Sequence, residues 1–211
     1  MFLNEAIQKA LSKTKGNTYL EIGVAAGRTF SFIKAGLKIG VDPISPSPEI
    51  LNLLSTTTQY YQTTSDDFFS NHAGKLSAEG LDFAFIDGLH TYQQSLQDVE
   101  HCLQYLNPSG IIVMHDCNPK TVGLMQTGCS GDVWKTIVHL RSTRQDLRVF
   151  VIDFDYGLGF VYYGMPDNLL HFSPEEISKM TFDDLDKNRL SLLDLKQADY
   201  FDNYLFGPAA N

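Results

Sequence analysis

Short apolar runs alternate with one-sided helical patterns along most of this chain. Over residues 2–14, Phe2, Leu3, Ala6, Ile7, Ala10 and Leu11 share one helical face. Gly16 and Asn17 end that helix. The pattern then predicts a buried strand at 19–22, a short helix at 27–35 and a second strand at 37–41. "DPISPSP" breaks regularity after it, a helix covers 49–54 and a third strand 59–63. "SDDFFSNH" opens another helix, with Ser65 or Asp66 as its N-cap.

"LDFAFID" is apolar throughout, as a strand covered on both faces should be. The helix after it carries Tyr92, Leu96, Val99, Leu103 and Leu106 at spacings of three and four, and "NPSG" ends it. "IIVMHD" is a fifth strand and "GDVWKTIVHLR" a helix. "LRVFVID" and "GLGFVYYG" form a last hairpin through "FDYG". Strands alternating with helices predict an α/β fold. Its sheet is doubly wound, seven-stranded and mainly parallel, with an antiparallel final hairpin strand and helices on both faces. Residues 1–164 read as one domain that begins with the helix of residues 1–16. Residues 165–211 read as an acidic helical extension packed on it, and the terminal helices offer a surface for a homodimer.

The chain has 211 residues and a net charge of −9, with its Lys and Arg scattered. Such a field repels a phosphate backbone, so nucleic acid is not expected as a partner. No apolar run nears the ~20 residues that cross a bilayer, so no membrane partner is expected. No leader-like segment opens the chain. Cys102, Cys117 and Cys129 are an odd set without a CxxC, which disfavours a disulfide framework or zinc site. Reduced thiols in a cytoplasmic protein are expected.

Ligands of an open α/β sheet sit beyond the carboxyl ends of its strands. After the first strand stands "EIGVAAG". A dinucleotide fingerprint starting at Gly23 needs glycine where Ala25 and Arg28 stand. A Walker A loop fails too: Gly23 and Gly27 are one residue too close, and Arg28 replaces the lysine. Glu21, Gly23 and Gly27 remain, either for close approach of a ligand or for steric relief of the turn. After the second strand, Asp42 can accept hydrogen bonds from both hydroxyls of a ribose or simply start the turn at Pro43. After the third, Ser65 and Asp66 can meet an adenine edge or cap a helix. Together they describe a ligand with a ribose and a base but no pyrophosphate at the first turn.

"YLEIGVAAG" resembles motif I of the Rossmann-like, S-adenosylmethionine-dependent methyltransferases. With "FAFIDGLHTY", "LNPSGIIVMHDC", "GDVWK" and "DYGLGFV", residues 17–164 resemble the methyltransferase domain 24 group, related to sugar and natural-product O-methyltransferases. The resemblance implies S-adenosylmethionine as cofactor, held by Glu21, Gly23, Val24, Gly27, Asp42, Ser65, Asp66 and Asp87. It implies methyl transfer to a small hydroxylated acceptor. Some members of that superfamily hold a divalent ion on an acid after strand four and paired acids after strand five. Here His115 takes the first place of that pair.

The leaving group of such a donor is already activated, so alignment and removal of the acceptor's proton remain. "IDGLHTY" and "MHDCN" supply Asp87, His90, His115 and Asp116 as candidates for that end of the reaction. One arrangement makes His90 the base, oriented by a carboxylate. Another puts an ion such as Mg²⁺ on Asp87 and Asp116, although imidazole next door is softer than Mg²⁺ prefers. His90 has a structural alternative, a helix-turn residue bonded to backbone. Two rival functions stay open at this level: an NAD-dependent oxidoreductase on a similar sheet, and a non-catalytic nucleotide-binding module.

Overall fold

A computed structural model describes residues 1–14, 16–126 and 128–201. In chain order the elements are α1 (Leu3–Leu11), β1 (Thr18–Ile22), α2 (Arg28–Phe32), β2 (Leu37–Val41), α3 (Pro48–Leu53), β3 (Thr58–Tyr61), α4 (Ser65–Asn71) and α5 (Gly74–Glu79). There follow β4 (Leu81–Ile86), α6 (Tyr92–Leu103), β5 (Leu106–Met114), α7 (Trp134–Thr143), β6 (Leu147–Ile152), β7 (Leu158–Tyr163), α8 (Pro174–Lys179) and α9 (Phe182–Leu193). A short 3₁₀ turn occupies Val122–Met125. The strands form one seven-stranded sheet in the order β3-β2-β1-β4-β5-β7-β6. This is the expected α/β architecture. Among the described residues, no helix is long and apolar enough to cross a membrane.

The described residues divide into two compact units. The first holds residues 1–89 and 96–113, the second residues 90–95 and those from 114 onward. In the first, β1 pairs in parallel with β2 (Leu20 opposite Ile39) and with β4 (Leu20 opposite Ala84). Every residue of β1 and of β2 is buried, Glu21 and Lys38 included, as in strands covered on both faces. The winding reverses direction between β2 and β4, on either side of β1, so the carboxyl end of β1 is the switch point. Tyr19, Leu20, Phe30, Ile39, Phe68, Phe83 and Phe85 are completely or almost completely buried and form this unit's core.

In the second unit β6 and β7 pair antiparallel, with Phe150 opposite Phe160 and their rings stacked at 5.3 Å. Trp134 is fully buried and belongs to the core of this unit. Two buried cations on α7 hold the C-terminal helices. Lys135 Nζ donates to Ser178 O at 3.0 Å, and Arg141 donates to Ser191 O and, at 2.8 Å, to Leu192 O. These carbonyls belong to last turns, which lack intrahelical donors. Lys196 then bridges in parallel to Ile152, covering part of edge strand β6.

Four local expectations change. The helix expected at 27–35 is only α2, because Gly27 is left-handed at φ 79° and the chain is extended again at Ile33. Thr64 caps α4, its side chain accepting from Asp67 N–H, so neither Ser65 nor Asp66 is the cap. The helix starting at Tyr92 ends at Leu103, and Leu106 with "NPSG" belongs to β5. An apolar residue at helical spacing was therefore the first residue of a strand, which periodicity alone cannot tell apart. Finally, α7 starts at Trp134 and not at the glycine of "GDVWK". The end of the acidic extension, residues 202–211, lies outside the described residues.

Candidate active site

The first unit builds a tight turn between β1 and α2. Gly23, Ala25 and Gly27 all have positive φ, at 85°, 46° and 79°. Gly23 donates to Val41 O at 2.9 Å, and a Cβ on it would lie 2.0 Å from the Asp87 carbonyl oxygen. Glycine is needed here because the chain leaving β4 runs against the turn. Gly27 faces the Ile50 side chain, which a Cβ would meet at 2.6 Å. Val24 is buried beneath the turn.

Asp42, at the end of β2, is 5% exposed. One carboxylate oxygen accepts from Ala25 N–H at 2.7 Å, the other from Ile44 N–H at 2.8 Å. The first bond holds Ala25 in a conformation that costs a non-glycine residue on the order of 1–3 kcal/mol. The second closes an Asx turn across Pro43. Each oxygen keeps a lone pair, so the group still has acceptor capacity for a ribose diol.

Glu21 lies fully buried on β1 and accepts from Tyr19 O–H at 2.5 Å. Burial pushes its carboxyl up to about 8; the Asp87 charge adds to this, while the Tyr19 bond and Lys38 pull it down. Lys38 Nζ meanwhile caps α2, donating to Phe30 O at 2.8 Å and Ile33 O at 3.1 Å. Glu21 therefore stands under the turn as a neutral acid near pH 7. The folded chain keeps this proton up to about pH 8, whereas an unfolded chain loses it near 4.5. Stability contributed by Glu21 is thus present at low pH and lost as pH rises through that window. The Glu21→Gln variant, neutral throughout, is expected to show a flatter dependence of melting temperature on pH between about 5 and 8. Parallel melting curves for the two proteins would refute a buried, protonated Glu21.

Ser65 and Asp66 open α4. Ser65 Oγ donates to the buried Asp98 at 2.5 Å, and Asp66 lies 4.0 Å from His101, half-buried. Asp87 is half-buried directly after β4, its N–H donating to Ile22 O at 2.8 Å.

The second unit carries His90, His115 and Asp116. Asp116 is buried, has φ 62° and lies 3.5 Å from His90 Nδ1 and 3.3 Å from His115 Nδ1. Ser130 Oγ donates to it at 2.5 Å. Burial alone would raise its carboxyl, but the bond and charge of His115, the Ser130 bond and the His90 charge outweigh this and hold it below the usual carboxylate range. His115 Nε2 faces Asp155 at 3.7 Å. His90 Nδ1 also contacts the Cys129 carbonyl, so the backbone-bonded alternative and the carboxylate-paired one are both present.

The loop that completes this cluster, residues 117–132, carried no legible pattern. It supplies Ser130, the Cys129 carbonyl and Asp132, whose carboxylate accepts from Tyr92 N–H at 2.7 Å. Gly131 is left-handed at φ 56°, and a Cβ there would lie 1.8 Å from His90 O, so glycine is required on both counts. Asp155 likewise went unread, inside what looked like a plain hairpin turn. All three cysteines are free, Cys129 alone being exposed.

A doubly wound sheet with an antiparallel last hairpin, a glycine turn after β1 and a buried carboxylate after β2 define the α/β methyltransferase fold. Residues 20–117 match the family model for a methyltransferase domain, Methyltransf_24. The match covers a little under half of the chain and marks that stretch as similar to this methyltransferase-domain family. An uncharacterized protein of Acanthamoeba polyphaga mimivirus is 30% identical over 115 residues, 47% of this chain and 51% of its own. The match thus spans about half the length of that curated relative. A protein of Corynebacterium glutamicum has a similar structure, with TM-score 0.58 and 17% identity over 82% of this chain and 84% of its own. An O-methyltransferase from Bacillus cereus, solved in complex with SAH, gives 0.57 and 12% identity over 78% and 82%. At these identities the structural likeness is one of fold.

Proposed function

We propose that this chain transfers a methyl group from S-adenosylmethionine to an oxygen of a small hydroxylated molecule. The observation that carries the reading is the carboxylate of Asp42 clamped to the turn at Ala25, within a stretch that matches a methyltransferase domain. The family match weighs against the nicotinamide and non-catalytic alternatives. The O-methyltransferase named among the similar structures favours oxygen as the acceptor atom.

The turn at Gly23, Val24 and Gly27 receives the amino-acid end of the donor, with Asp42 on the ribose and Ser65 and Asp66 toward the base. Glu21 acts indirectly, by supporting the turn from below. Asp87 lies where the strand that borders β1 ends. His90 follows it by three residues, so chain length alone keeps the two within roughly 11 Å. His90 takes the acceptor's proton, and Asp116 beside it stabilises the imidazolium that forms. His115 shares that carboxylate and helps to orient it.

The test is a screen of sugars, phenols and hydroxy acids with a donor labelled in its methyl group, run with Mg²⁺ and with EDTA. Label is expected on oxygen of one class. Turnover that survives EDTA and falls about 100-fold or more in His90→Ala assigns the proton to His90, at the scale of general-base catalysis. Turnover lost in EDTA assigns its removal to an ion instead. Failure of the protein to bind either donor or S-adenosylhomocysteine would refute the whole reading.

A further inference from the structure

The turn between β6 and β7 is built from an unexpected residue pair. Gly157 N–H donates to Phe154 O at 2.8 Å, which leaves Asp155 and Tyr156 as the central residues. Both are left-handed, at φ 45° and 63°. Turns whose two central residues are both left-handed favour Asn-Gly, because those residues tolerate positive φ. A bulky aromatic at the second position is an outlier. Burial does not repay it, since Tyr156 is 49% exposed.

The turn is fastened to the loop after β5. Asn118 N–H donates to Tyr156 O at 2.7 Å, and Cys117 N–H to Gly157 O at 3.0 Å. Asn118 is completely buried, donates to Asp153 at 3.0 Å and accepts from Arg189 of α9. Arg189 also donates to Pro119 O at 2.8 Å. The C-terminal extension thus helps to hold the loop that carries His115 and Asp116. Against that loop the turn sets Asp155, 3.7 Å from His115, and the Tyr156 ring, edge-on to the same imidazole at 6.5 Å between centroids.

We infer that Tyr156 is a specificity-determining residue whose exposed ring receives the flat face of a hydroxylated ring in the acceptor. The inference rests on the methyltransferase reading above, in which His90, His115 and Asp116 serve the acceptor. A ring with hydroxyls on its edge and an apolar face matches a surface that offers carboxylates beside an aromatic. Sugars and phenols share that chemistry.

The experiment titrates catechol and methyl α-D-glucopyranoside, separately, into the full chain saturated with S-adenosylhomocysteine. One of the two rings is expected to bind, and its identity names the acceptor's class. Tyr156→Gly relieves the left-handed strain, so its melting temperature should equal or exceed that of the parent. Its affinity for S-adenosylhomocysteine should stay within about twofold, while ring affinity falls about tenfold, the scale of one aromatic contact. Tyr156→Phe keeps the ring and should bind like the parent. The inference is overturned if neither ring binds, if Tyr156→Gly binds the ring undiminished, or if its melting temperature drops together with ring binding. Absence of S-adenosylhomocysteine binding to the parent would instead bring down the methyltransferase reading itself.

Discussion

Asp42→Asn is expected to weaken S-adenosylhomocysteine binding by about 100-fold. The carboxylate accepts one backbone N–H on each oxygen, from Ala25 and from Ile44. An asparagine has one acceptor oxygen, so whichever way its amide is turned, an NH₂ faces one of those N–H groups. One charge-assisted bond is lost, the other is weakened, and a donor is left opposed by a donor. Such losses cost about 1.5–3 kcal/mol each. The Ala25 backbone, left-handed at φ 46°, then loses the bond that holds it. A ribose reading the same carboxylate loses its partner as well. About 3 kcal/mol corresponds to two orders of magnitude in affinity. Calorimetric titration at constant salt measures it; an affinity within threefold of the parent would show that no ribose depends on Asp42.

Gly23→Ala is expected to lower the melting temperature by about 10 °C. Its φ is 85°, which an alanine adopts at a cost of roughly 1–2 kcal/mol. The added Cβ would lie 2.0 Å from Asp87 O and 2.7 Å from Gly88 Cα, both backbone atoms that cannot rotate away. Relief requires moving the chain at the ends of β1 and β4 together, and such overpacking adds about 1–3 kcal/mol. Each 1 kcal/mol moves the transition of a chain this size by about 2–4 °C. Gly88 is the control. A Cβ there would meet Ile22 Cγ2 at 3.4 Å, an ordinary contact, so Gly88→Ala should shift the transition by no more than about 2 °C. Equal shifts in the two variants would refute the steric account of Gly23.

The two variants share a cause that was only half visible in the sequence. "EIGVAAG" and "GVDP" announced a turn and an acid at neighbouring strand ends. Their spacing did not show that the acid is the clamp for Ala25. That bond joins residues 17 apart in the chain and exists only because β1 and β2 are in register. Glu21 is a similar case. As a residue at a strand end it looked available to a ligand. Its position on the same face of β1 as Tyr19 buries it and gives it a hydroxyl to bond instead.

The histidine–carboxylate cluster was harder to read for a physical reason. His90, His115 and Asp116 announced themselves as polar residues after apolar strands. Ser130, Asp132 and Asp155 lie in loops, where no periodicity marks a functional side chain. Leu106 misled in the opposite direction, since one leucine at helical spacing fits a helix end and a strand start equally well.

By itself, the sequence determined the class of fold, the order and number of the strands, and which strand ends bear carboxylates and imidazoles. Burial periodicity and strand ends are local properties, and local chemistry writes them into the chain. The tertiary structure alone decided which way each of those groups turns. Asp42 faces a backbone amide, Glu21 faces a buried phenol, and Asp116 draws two histidines and a serine. The Asp42 pairing depends on strand register, and the meeting of Asp116 with His90 and Ser130 on loops folding back, which no short-range pattern encodes; Glu21 and Tyr19, neighbours on one strand face, needed only the burial of that face.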